Sequence, residues 1–369
     1  MSQKTQVYVG TYTHPIKFGT GQILNSKGKG IYRLELDLEN GDLEIKGVST
    51  GIINPSYLVI NQSRKFLYAV NELKEYEGKA SGSVSAFEIS ETDGALKLIN
   101  IQPTNGTDPC HVILSPEGKH LFVSNYMSGS VAVYPIMADG SIGGMCQFFQ
   151  HEGSSVNPAR QTGPHAHALV FSPDGRFAFV PDLGIDRLMI YQMTGADEPL
   201  RPAALPYYPT RPGAGPRHCV FSQDGKYCYL INELNSTISV LAYDNANGNF
   251  TEVQVVSSLP EDLSMPGNTC ADIHITPDGN FLYGSNRGHN SLVVYRVEKE
   301  SGKLTYVNCQ PCGGEIPRNF AIDSSGRYLL CANQDSDNIV TFGIDAESGL
   351  LTKLSEITVH TPVCVKMIA

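Results

Sequence analysis

Residues 164–191 read P-H-A-H-A-L-V-F-S-P-D-G-R-F-A-F-V-P-D-L-G-I-D-R-L-M-I-Y, and this stretch decides the fold. Its pattern predicts a strand from His167 to Phe171, a tight turn on Ser172-Pro173-Asp174-Gly175, a second strand from Phe177 to Pro181, a short polar loop, and a third strand from Leu188 to Tyr191. Turn-forming residues stand where the backbone must reverse, and short runs of alternating apolar residues stand between them.

Outward from this stretch the same phrase recurs. Copies begin at Pro55, Pro109, Pro164, Pro216, Thr269 and Pro317, 48 to 55 residues apart, the range of period that marks solenoids, propellers and arrays. The copies continue with a third strand, and a polar Gly-containing turn such as Ser90-Glu91-Thr92-Asp93-Gly94 or Ala346-Glu347-Ser348-Gly349 leads into a fourth. Four antiparallel strands per unit describe a propeller blade. The chain ends complete the count. Pro362 to Met367 looks like a first strand with nothing after it, and the N-terminus holds the remainder: Gln6 to Thr11, Gly30 to Leu36 and Leu43 to Val48. The sequence therefore predicts an all-β, seven-bladed propeller over residues 1–369, one domain whose N- and C-termini share the closing blade. No long stretch has helical apolar periodicity.

Composition narrows the partners. A net charge of −10 argues against a nucleic-acid or acidic-membrane surface, which needs a basic stripe. The opening M-S-Q-K-T-Q lacks the apolar core of a signal peptide, and no apolar run approaches the ~18 residues of a membrane span, so a cytoplasmic protein is expected. Nine cysteines, an odd number with no regular framework, read as small buried hydrophobes. Cys309-Gln310-Pro311-Cys312 is a lone C-x-x-C, for which packing is a better reading than zinc.

Strand direction alternates within a blade, so its loops divide between two faces. One face has only minimal turns. The other has long connections: Thr13 to Lys29, Leu73 to Gly82, Gln150 to Gly163, Pro202 to Gly215 and Leu259 to Asn268. Long loops on a rigid scaffold commonly carry binding and catalysis. The Thr13 to Lys29 insertion is Gly-rich but is no phosphate-binding loop, and a lid is the milder reading. Five positions before each turn stand Ser56, Cys110, His167, Arg217, Ala271, Arg318 and, by extension, Val363; the next positions add His111, His218, Asp272 and Asn319. Second strands end on Asn71-Glu72, Asn125-Tyr126, Asp182, Asn232-Glu233, Asn286-Arg287 and Asn333-Gln334. All of these point to one central mouth, an unusual gathering of arginines and imidazoles for an acidic chain. Arginine forks suit carboxylate or phosphate. The bland alternative is that the same residues tie neighbouring blades together. His165-x-His167 reads as a hydrogen-bonding or general-base pair before a metal pair, and no metal or organic cofactor is expected. There is no G-x-S-x-G, H-E-x-x-H or dinucleotide fingerprint.

P-H-A-H-A-L-V-F-S-P-D-G, G-P-R-H-C-V-F-S-Q-D-G-K-Y-C-Y-L-I-N-E, A-D-I-H-I-T-P-D-G-N-F-L-Y-G-S-N-R-G and H-L-F-V-S-N-Y-M-S-G-S-V-A-V-Y resemble the seven-bladed propeller lactonase family. That family contains the bacterial propeller-type 6-phosphogluconolactonases and the fungal carboxy-cis,cis-muconate cyclases, and the resemblance covers nearly the whole chain. WD40 repeats would need Trp, which is absent. The resemblance implies a catalytic His, Arg, Glu and Arg at His167, Arg217, Glu233 and Arg287. It implies hydrolysis of an anionic sugar lactone such as 6-phosphogluconolactone, with His167 or Glu233 as base and Arg217, Arg287 and Arg318 gripping phosphate or polarising the carbonyl. Arg318, His165, His218, Asp272 and Asn125 are the expected substrate-binding residues. Cycloisomerisation of a carboxylated diene at the same cluster, and a non-catalytic propeller binding a protein on this face, are the rival readings. The long Thr13 to Lys29 insertion departs from the family's compact bacterial pattern.

Overall fold

The computed structural model describes residues 4–18, 21–195 and 197–368; parts of the N-terminal and Thr13 to Lys29 readings fall outside these. Seven sheets of four antiparallel strands form the ring. Six follow the sequence order, and the seventh is built in the order Pro362–Met367, Lys4–Thr11, Ile31–Asp37, Leu43–Ser49. The closing strand pairs Met367 with Val7, Lys366 with Tyr8, Val365 with Val9 and Cys364 with Gly10. Apolar clusters fill the gaps between blades: Val7, Leu34 and Val365 of the closing blade pack on Leu330 and Ile339 of the blade before it. No helix among the described residues is long and apolar enough to cross a membrane.

A bulge on the first strand of nearly every blade positions the site. Pro216 pairs with Asn232 and His218 with Ile231, which leaves Arg217 as an extra residue with no partner in the ladder. The same skip isolates Ser56, Cys110 and Arg318, and at the closing blade Val363. A bulge bends its strand and re-aims a side chain. Here it sets one residue from each of these five blades at the top of the axial channel.

Two predicted boundaries change. Only Val170–Phe171 of the expected His167 to Phe171 strand forms a ladder, preceded by an isolated bridge between Ala166 and Asp182. His167 N–H bonds the Pro181 carbonyl at 3.0 Å, and proline has no N–H to return. The Pro202 to Gly215 loop shrinks to residues 210–215, because Leu200–Pro209 is a fourth strand. Its prolines are tolerated on an outer edge where no ladder donor is needed.

Removing residues 362–369 should open the ring. Val363, Cys364 and Val365 are buried, and each apolar side chain re-exposed costs ~1.5–3 kcal/mol. The truncated protein is expected to melt at least ~10 °C lower in a thermal scan, if it folds at all; an unchanged melting curve would show that the shared blade does not fasten the ring.

Candidate active site at the channel mouth

Strand alternation sorts the second-strand ends. Side chains of successive residues point to opposite faces, so of each Asn-x pair one enters the blade and the other the mouth. Glu72, Tyr126, Glu233, Arg287 and Gln334 all line a cavity of about 270 Å³ at the mouth, with Cys110 and Arg318 from first strands and His167 from the segment just before one. Beneath it a narrower shaft is bordered by Ser56, Arg217, His218, Asn319 and Val363, and shares Glu72, Cys110, His167 and Arg318 with the cavity. Lys17 and Phe18 reach the rim from a two-stranded hairpin, Ile16–Lys17 with Ile23–Leu24, inside the long insertion.

Asn125 is the other member of its pair and lines neither space. Its amide donates to Ser130 Oγ at 3.1 Å inside the blade. Asn71 and Asn232 likewise bond hydroxyls of the adjoining third strand, so this position ties strands together.

Glu233 is the hub. Its Oε1 accepts Arg160 Nη2 at 2.7 Å, and its Oε2 meets Arg217 Nε at 3.1 Å and Arg287 Nη2 at 2.8 Å. Burial pushes this carboxyl up, but Arg287, Arg160 and Arg217 together overcome that and hold it well below the usual carboxylate range. Arg217 is also tied to the Ala271 carbonyl and to His218 Nε2. Arg287 donates to the Cys270 carbonyl at 2.8 Å, while its buried Nε finds no partner among the described residues. Arg318 differs from all three. Its guanidinium packs over the rings of Tyr12 and Phe18 at 5.4 and 5.5 Å, and no described carboxylate forms an ion pair with it.

The imidazoles sit deeper. His167 is buried, 3.7 Å through Nδ1 from Cys110 Sγ, and burial followed by the charge of Arg217 holds its pKa well below the ordinary value. His218 Nδ1 lies 2.9 Å from Asp272 Oδ1; burial and Arg217 bring His218 down to about 4. Asp272 lines neither space. It holds His218, His274 and Asn319 together below the shaft. His165 also stands back from the cavity, with Nδ1 3.0 Å from the Tyr126 carbonyl and its backbone N–H on Asp182. Among the described residues no group of three or more His, Cys, Asp or Glu side chains is arranged to hold a metal ion. All nine cysteines are free, with Cys312 buried and Cys309 half-buried.

Sequence reading missed Arg160. It comes from the irregular 150–163 loop, at no repeat position, yet reaches both Glu233 and Tyr126 OH. A lone basic residue in a long loop on the functional face was the available signal.

The family described as lactonase, seven-bladed β-propeller, matches residues 6–367. The chain belongs to the seven-bladed β-propeller lactonase family. A 6-phosphogluconolactonase of Bacillus subtilis is 36% identical over 362 residues, covering 98% of this chain and 97% of the relative. Another from Formosa agariphila is 38% identical over 301 residues, 81% and 83% of the two chains. Among solved structures, a periplasmic gluconolactonase of Pseudomonas aeruginosa superposes with a TM-score of 0.90 at 34% identity, over 100% of this chain and 99% of that one.

The buried imidazoles give this lactonase-family protein an acid sensitivity of defined sign. His111, His167 and His218 are all depressed by burial, so between about pH 6.5 and 4.5 the unfolded chain binds protons that the folded one does not. Stability is present above pH 6.5 and lost as pH falls, by up to about 4 kcal/mol per unit for three groups. Asp108, which burial raises to about 6, opposes this with one group. Asp272 and Glu233 are ionised in both states until lower pH. Denaturant melts should therefore lose stability between pH 6.5 and 5; a flat profile would mean that these imidazoles are already protonated in the fold.

Proposed function

We propose that the protein hydrolyses an anionic sugar lactone, 6-phosphogluconolactone, to the open hydroxy acid. The observation that carries this reading is a buried imidazole, His167, on the wall of a cavity that Arg160, Arg287 and Arg318 also line. The relatives' names agree with that chemistry.

In this reading His167 is the general base. Glu233 is unsuited to the task because both of its oxygens already accept from guanidinium groups, whereas His167 keeps an imidazole nitrogen for water, at a basicity that burial and Arg217 reduce. His167 takes a proton from water as the water oxygen bonds to the lactone carbonyl carbon. The carbonyl oxygen becomes an oxyanion, stabilised by Arg287. When the bond from that carbon to the ring oxygen breaks, His167 returns the proton to the ring oxygen, which leaves as a hydroxyl. The new carboxylic acid then ionises.

Arg318 holds the phosphate. Arg217 lies lower, borders the shaft rather than the cavity, and has its Nε and Nη1 engaged by Glu233, Ala271 and His218, while Arg318 lines the cavity itself. Lys17 at the rim adds a second positive charge. A phosphate beside Arg318 offsets one of the charges that depress His167, so substrate binding raises the basicity of the imidazole that attacks it.

Turnover of 6-phosphogluconolactone by the purified protein, compared with gluconolactone, tests the reading. Arg318→Gln is expected to raise KM for the phosphorylated lactone at least tenfold, ~1.4 kcal/mol, and to leave the unphosphorylated one within about threefold. Equal losses on both would remove Arg318 from the phosphate, and no turnover of either lactone would overturn the function.

A further inference from the structure

Tyr126 occupies the cavity wall between the two histidines of the 164–191 stretch. Its ring stacks on His165 with centroids 4.6 Å apart and meets His167 edge-on at 5.2 Å. The phenol oxygen accepts a hydrogen bond from Arg160 Nη2 at 3.0 Å and donates to no described residue. Arginine can only donate, so this contact occupies a lone pair of the phenol and turns the O–H hydrogen away from Arg160. Packing against His165 and His167 fixes the ring, and Tyr126 lines the cavity. An oriented donor without an acceptor thus stands beside the proposed base.

We propose that Tyr126 is a catalytic residue whose phenolic O–H donates a hydrogen bond to the oxyanion that develops on the lactone carbonyl. The assignment rests on the lactonase reading above. No proton is transferred: the O–H bond stays intact, and the charge on oxygen is returned when the ring C–O bond breaks. Three features suit the phenol to this work. Burial, with Glu233 adding and Arg160 opposing, pushes its pKa up, so the hydrogen stays on oxygen through the neutral range. Donation from Arg160 polarises the phenol and strengthens the bond it can give in turn. The group is held in place before substrate arrives, which is what makes such donors effective, commonly by ~10²- to 10³-fold in kcat. Arg160 then has a role of its own, as a positioning residue joining the Glu233 hub to the phenol.

The bland alternative is that the phenol serves only to hold Arg160. A double-mutant cycle separates the two. Tyr126→Phe keeps the ring against both histidines and removes only the hydroxyl; Arg160→Met keeps the stem and removes the donor. Both are checked for folding by thermal melt. Direct action predicts that Tyr126→Phe lowers kcat for 6-phosphogluconolactone at least tenfold with KM within about threefold, and does so again in the Arg160→Met background. An effect that disappears in that background, or an unchanged kcat in the single variant, would overturn the proposal while leaving the lactonase reading standing. Should Arg160→Met fail to fold, the kcat-against-KM split of Tyr126→Phe decides alone, because a phenol that merely aligns the binding arginines would raise KM. A wild-type protein inactive on lactones would remove the reading and this proposal with it.

Discussion

One buried carboxylate organises the mouth of the channel. Glu233 neutralises part of the charge of Arg160, Arg217 and Arg287, brought from a loop, a bulge and a strand end of different blades. Three guanidinium groups could not be assembled in a water-poor cleft without it, since each charge loses several kcal/mol of hydration. Removing one partner of such a cluster leaves the others uncompensated, typically a loss of 3–5 kcal/mol. Within this cluster the guanidinium groups outnumber the single carboxylate of Glu233, while around the cavity as a whole Lys17, Arg160, Arg287 and Arg318 face Glu72, Asp108, Glu233 and Asp335. Burial first, and then the charges of Arg217 and Arg318, disfavour the proton on His167.

Backbone geometry does the delivery. A bulge at the top of the first strand aims Arg217, Arg318 and Cys110 at the axis, and the residue after each second-strand Asn adds Glu72, Tyr126, Glu233, Arg287 and Gln334. This is why the ring of positions is legible in the sequence. Counting back from each S-P-D-G type turn locates the bulge residue, and counting forward locates the strand end. The closing blade was legible for a similar reason: Pro362 to Met367 has the pattern of a first strand, and the strand expected from Gln6 to Thr11, observed as Lys4–Thr11, pairs with it.

What escaped the sequence is equally physical. Asn125 and Tyr126 are adjacent and both looked like mouth residues, but strand alternation sends the amide into the blade and only the phenol into the cavity. His165 and His167 share a spacing that suggests a joint role, yet an interrupted ladder around Pro181 leaves His165 stacked behind Tyr126. His218 and Asp272 form a pair below the cavity, where they support Arg217. Arg160 lies outside the repeat, so no periodicity could nominate it, and the hairpin that brings Lys17 and Phe18 to the rim belongs to the irregular Thr13 to Lys29 insertion.

A crystal structure with bound 6-phosphogluconate, the product of the proposed reaction, tests the central claim most directly. The account predicts the phosphate against Arg318 and the carboxylate between His167, Tyr126 and Arg287, with both oxygens of Glu233 still held by Arg160, Arg217 and Arg287. Product bound away from this mouth, or Glu233 freed from its arginines and in contact with the carboxylate carbon, would contradict it.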